Sequence, residues 1–131
     1  MAAAISVAAK ESFLDIVKLD HFVFKIRVYE SLIGINKLTG GDVASHHQCR
    51  LGKWYYEGRG FQECQDSPVY KNLEKPHELV HLYAMEALAS SEVCDFQKTQ
   101  TALRKMEDAS VQVNDLLMAL ANEKCANGGL V

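Results

Sequence analysis

The sequence predicts an all-α protein, an antiparallel four-helix bundle with one or two short extra helices, and three observations carry that prediction. Apolar residues recur at steps of three, four and seven through long stretches, no segment alternates with period two, and the chain holds only two prolines, the residues that most readily stop a helix. At 131 residues one domain spanning 1–131 is expected, with an ordered bundle over about 10–126. A chain of that size can bury roughly two-thirds of its unfolded surface in one core.

The first helix is expected from Lys10 to about Leu38, where Phe13, Val17, Phe24, Val28, Leu32 and Ile35 form an apolar stripe. His21 falls on that stripe, four after Val17 and three before Phe24, so its imidazole faces the core side. Thr39-Gly40-Gly41-Asp42 then suits a turn, and Ser45-His46-His47-Gln48 resembles a capping box with Cys49 in the first turn of a second helix. That aromatic-rich helix runs through Trp54 and Tyr55 and ends at Gly58-Arg59-Gly60. Ser67-Pro68 and Lys75-Pro76 each look like a cap followed by proline at the first helical position, so two further helices are expected to start there. A last helix is expected from about Val93 to Lys124, carrying Phe96, Leu103, Met106, Val113, Leu117 and Leu120.

Composition removes several function classes. The apolar share of 48% with 24% charged residues fits an ordinary soluble globular protein. A net charge of −3 leaves no basic surplus for a phosphate backbone, so nucleic acid is not an expected partner. No window reaches the uninterrupted apolar length of a membrane helix, so no membrane insertion is expected, and the start lacks the charged and apolar regions of a secretory leader. The chain therefore reads as cytoplasmic. Its cysteines, Cys49, Cys64, Cys94 and Cys125, point in that setting to metal binding or free thiols; Cys64, Cys94 and Cys125 have no ligand-type neighbour and read as ordinary thiols.

The chemistry gathers around His77 and His81, which sit i, i+4 on one helical face and can bind one ion together. The run His77-Glu78-Leu79-Val80-His81 also matches the metalloprotease motif, in which Glu78 would activate water. Against a hydrolase stand the small size, the absence of any strand pattern to hold a peptide, and other ligand candidates that close the coordination sphere. His21 and Cys49 are those candidates, and three imidazoles with one thiolate make a full tetrahedral set for zinc. The positive end of the second helix would favour the Cys49 thiolate. His46 and His47 stand close enough to substitute, although a cap or loop position suits a solvated role. A lone histidine on an apolar stripe, or a lone buried cysteine, is also commonly an inert core residue.

Three segments bear on that choice: Val17 to Lys25 around His21, Cys49-Arg-Leu-Gly-Lys-Trp-Tyr, and His77-Glu-Leu-Val-His81. In this order and with these spacers, the chain resembles the chemoreceptor zinc-binding domain, which is found on bacterial chemoreceptors and some diguanylate cyclases. The resemblance implies a helical bundle in which His21, Cys49, His77 and His81 share one Zn2+ per chain, usually within a homodimer. It implies no catalytic residue, since Glu78 there merely follows a ligand. Phe24 stands where many relatives have tryptophan. The implied function is sensory: zinc, hypochlorous acid or another oxidant alters the site and modulates signal transduction or chemotaxis by a host chemoreceptor or diguanylate cyclase. A structural zinc that stabilises a dimerisation module is the alternative. The chain reads as an isolated domain or excised terminus of such a host.

Overall fold

A computed structural model describes residues 2–126, and the architecture is all-α, with no strand among the described residues. The chain forms α1 (Ala2–Leu32), a 3-10 turn (Gly40–Asp42), α2 (Arg50–Tyr56), α3 (Arg59–Glu63), α4 (Pro68–Glu92) and α5 (Phe96–Ala121). Three long helices thus build the bundle, and the two short ones close it. α4 and α5 form an antiparallel hairpin whose connection, Val93 to Asp95, is tight because Cys94 adopts a left-handed φ of 58°. The Asp95 carboxylate then accepts the Lys98 amide at 3.1 Å and caps α5.

The stripe expected on the first helix holds: Phe13, Val17, His21 and Val28 are buried, while Phe24 and Leu32 pack partly against the core. α1 stops at Leu32, however, and not near Leu38, so Ile35 lies outside it and is half exposed. Gly34 (φ 90°) and Asn36 (φ 51°) turn the chain there. The Ser31 hydroxyl accepts the Leu38 amide at 2.7 Å and fixes the return. At the centre, Val17, Leu73, Met106, Leu117 and Leu120 are wholly buried.

Three further sequence expectations are corrected. Lys75-Pro76 does not start a helix: α4 begins at Ser67-Pro68 and continues through Pro76 to Glu92. Pro76 is buried among Leu73, His77 and Val80, and packing against α5 offsets the backbone hydrogen bond it forfeits, a loss of about 3 kcal/mol. Likewise Cys64 and Cys125 are not ordinary thiols but a disulfide with Cα atoms 5.3 Å apart, spanning 61 positions of sequence. Gly58 and Gly60 do not simply end a helix, since Gly58 caps α3 and Gly60 lies within it. A Cβ at Gly60 would meet the Trp54 ring at 2.7 Å, so only glycine lets α3 lie on that indole.

Candidate metal centre

Three elements deliver the candidate ligands. His21 comes from the buried face of α1, Cys49 is the N-cap of α2, and His77 and His81 stand one turn apart on α4. The potential ligand atoms of these four residues all lie within 4.8 Å of one another. The structure therefore brings together every residue singled out as a ligand, and the group can hold one metal ion.

Hydrogen bonds around the cluster fix which atoms face inward. His21 Nδ1–H donates to the Val17 carbonyl at 3.0 Å and His81 Nδ1–H donates to the Ala44 carbonyl at 2.8 Å, because a carbonyl can only accept. Both Nε2 atoms are then lone-pair acceptors, and both are buried without a hydrogen-bond partner. Such orphans are costly unless something electron-poor occupies the space between them. His77 Nε2 lies 3.2 Å from the Cys49 sulfur. Two orphaned imidazole nitrogens, a third nitrogen and a thiol converging on one point is the donor set that a borderline-soft cation fits. The backbone carbonyls on the outer nitrogens are the supporting contacts that orient ligating histidines.

Electrostatics favour the neutral imidazole, the form that ligates. Burial lowers the pKa of all three, and for His77 the neighbouring His21 and His81 add to it, bringing it down to about 2, while His81 falls to about 4. The sequence expectation that the helix N-terminus makes Cys49 a thiolate is corrected for the metal-free chain. Burial is the largest influence and raises the thiol pKa, outweighing the amide of Gly52 that the sulfur accepts at 3.4 Å. A bound cation reverses that balance, since a coordinating thiol is deprotonated outright.

Glu78, the residue of the hydrolase motif, is not one of the four whose ligand atoms converge, and it meets the Lys75 ammonium at 3.3 Å. His46, the possible substitute, is not among the four whose ligand atoms converge, although its ring lies 5.7 Å from that of His77 and 6.5 Å from that of His81. His47 stacks on Tyr56 at 4.0 Å. What sequence reasoning missed is the loop that carries these residues: it runs back along α4, where the Ala44 carbonyl orients His81. No local pattern marks that carbonyl, because its partner lies 37 residues away.

No curated protein and no solved structure matches the chain. A family description does: the chemoreceptor zinc-binding domain matches residues 21–88, slightly more than half of the sequence, from the first candidate ligand to just beyond the last. With that span and this geometry together, the chain belongs to the chemoreceptor zinc-binding domain family.

Proposed function

We propose that this chain is a regulatory domain that binds one Zn2+ through His21, Cys49, His77 and His81 and reports zinc or oxidants to a cytoplasmic signalling host of the chemoreceptor type. The observation that carries the reading is the convergence of the two orphaned Nε2 atoms on Cys49 and His77. When bound, zinc supplies a cross-link among the elements that present its ligands and lowers the pKa of the thiol. The chain's own part is mechanical. His21 belongs to α1, Cys49 to the α2 cap, and His77 and His81 to α4, so loss of the His21 or the Cys49 donor frees its element from the others. Oxidation of the Cys49 sulfur removes a donor in the same way and turns thiol chemistry into looser helix packing. Four protein donors leave no open position for water, and Glu78 is engaged by Lys75 outside the cluster, which supports regulation in preference to hydrolysis.

One observation favours the second reading, a zinc-stabilised dimerisation module of a diguanylate cyclase or another host. α1 is apolar on two sides: besides its buried stripe it exposes Ile16, Leu19, Val23 and Ile26 at heptad spacing. A second copy of the chain would cover that face. The two readings share the site and differ in how readily the metal leaves.

The experiment is metal content by plasma mass spectrometry on wild type, Cys49→Ala and His81→Ala, with thermal stability recorded on the same samples. One zinc per chain, lost in both variants together with stability, is the expected result. A metal-free wild type that folds equally well would remove the zinc reading.

A further inference from the structure

Resting on the zinc reading, we propose that His46 is a transient ligand at the mouth of the site, through which the ion passes in and out. The four donors enclose their centre, so an ion must reach it past one of them. Two openings border the cluster. The wider one, beside Cys49, is lined by Arg27, Arg50 and Lys53, with Asp20 committed to Arg50 at 3.3 Å, and its positive surplus repels a dication. The other is a cavity of about 250 Å³ lined by Ala44, His46, Glu78 and His81. Its lining holds two imidazoles and the Glu78 carboxylate, which Lys75 meets at 3.3 Å from outside, and no lysine or arginine, so it lacks the positive surplus of the first.

His46 is built into that mouth. Its ring stands edge-on to His77, with centroids 5.7 Å apart, and 6.5 Å from His81, next to the four-donor group but not part of it. Its backbone is held: a Cβ on Gly52 would come within 1.9 Å of the His46 carbonyl oxygen, so the loop rests directly on α2 where only glycine fits. The same carbonyl lies 3.7 Å from the Cys49 sulfur. A closed four-coordinate site exchanges slowly if one bond must break before another forms. Zinc accepts a fifth ligand in passing, so a bond to His46 can form as the bond to His81, the donor facing the cavity, loosens. His46, with Glu78 beside it, would thus hold the ion at the mouth while His81 lets go.

The test is stopped-flow uptake of zinc by the metal-free chain and its removal by a chelating dye, for wild type, His46→Ala, His46→Gln and His47→Ala of verified helix content. A transient ligand lowers the barrier in both directions and leaves the end states alone. Both His46 variants are therefore expected to take up and release zinc about tenfold more slowly, with Kd within about twofold of wild type, whereas His47→Ala behaves as wild type. Unchanged rates would overturn the proposal, and so would faster release with unchanged uptake, which marks a resident ligand. Glu78→Gln leaves every imidazole in place and keeps the route testable if the loop tolerates no change at position 46. Slower uptake is expected from it, and unchanged uptake counts against the route. A wild type that binds no zinc at equilibrium fails the zinc reading itself, a result separate from any of these rates.

Discussion

At the scale of single residues, the metal-free cluster makes stability depend on acidity in a direction fixed by burial. His81 has a folded pKa of about 4 against an ordinary 6.5, with burial the main cause, so the native state stays neutral where the unfolded chain takes up a proton. The group's contribution is complete above about pH 6.5 and declines as pH falls toward 4, by a total on the order of 3 kcal/mol. His77 and His21 shift in the same direction and add to the slope. Urea midpoints of the metal-free chain should therefore fall steadily between pH 7 and pH 4.5, and a flat profile would mean that the imidazoles are hydrated in the fold. Gly52 offers a steric counterpart. Gly52→Ala places a methyl group against the His46 backbone, and relieving that overlap should cost about 1–3 kcal/mol. Because the displaced loop also holds the Ala44 carbonyl on His81, zinc affinity should weaken alongside the melting temperature. Affinity unchanged in a destabilised Gly52→Ala would separate the loop from the site.

At the scale of elements, the four candidate ligands could be singled out in the sequence because each sits at a position whose pattern is local: His21 on a helical stripe, Cys49 at a helix start, His77 and His81 one turn apart. What was not legible depends on distant partners. Pro76 reads as a helix start on local rules and lies inside α4 because burial beside Leu73 and His77 outweighs them. Cys64 and Cys125 read as unrelated thiols because nothing in the chain between them announces that α3 and the residues after α5 meet. That meeting also explains Lys10, which is buried near the start of α1 and donates to the carbonyls of Glu123 and Cys125, with the latter at 3.1 Å. The disulfide holds in place the carbonyls that satisfy this ammonium. Cys64→Ser should accordingly lower stability by about 2–4 kcal/mol under oxidising conditions, and a thiol reductant should bring wild type down to the same value. Equal midpoints for wild type and variant without reductant would mean that the bond contributes nothing to the fold.

At the scale of the whole molecule, the exposed stripe of α1 is the surface on which the proposed dimer would form. Ile16, Leu19, Val23 and Ile26 follow one another at steps of three, four and three, flanked by exposed Phe22 and Tyr29. They cover about 15 Å of helix at the usual rise per residue. A helix apolar on two sides is ordinarily buried on both, and the heptad spacing is the one that seats a helix against a copy of itself. His21 lies on the opposite side of the same helix, so a movement of α1 that follows loss of its ligand contact would be carried directly into a dimer interface. Leu19→Glu combined with Ile26→Glu tests this without touching the core or the ligands. Each charge would be buried unpaired in the dimer and hydrated in the monomer, which should weaken association by at least about a hundredfold. Sedimentation velocity should show wild type as a dimer and the double variant as a monomer that keeps its helix content and its zinc. A double variant that remains dimeric would exclude this face, and a wild type that is monomeric at high concentration would leave zinc binding intact while removing the path from site to partner.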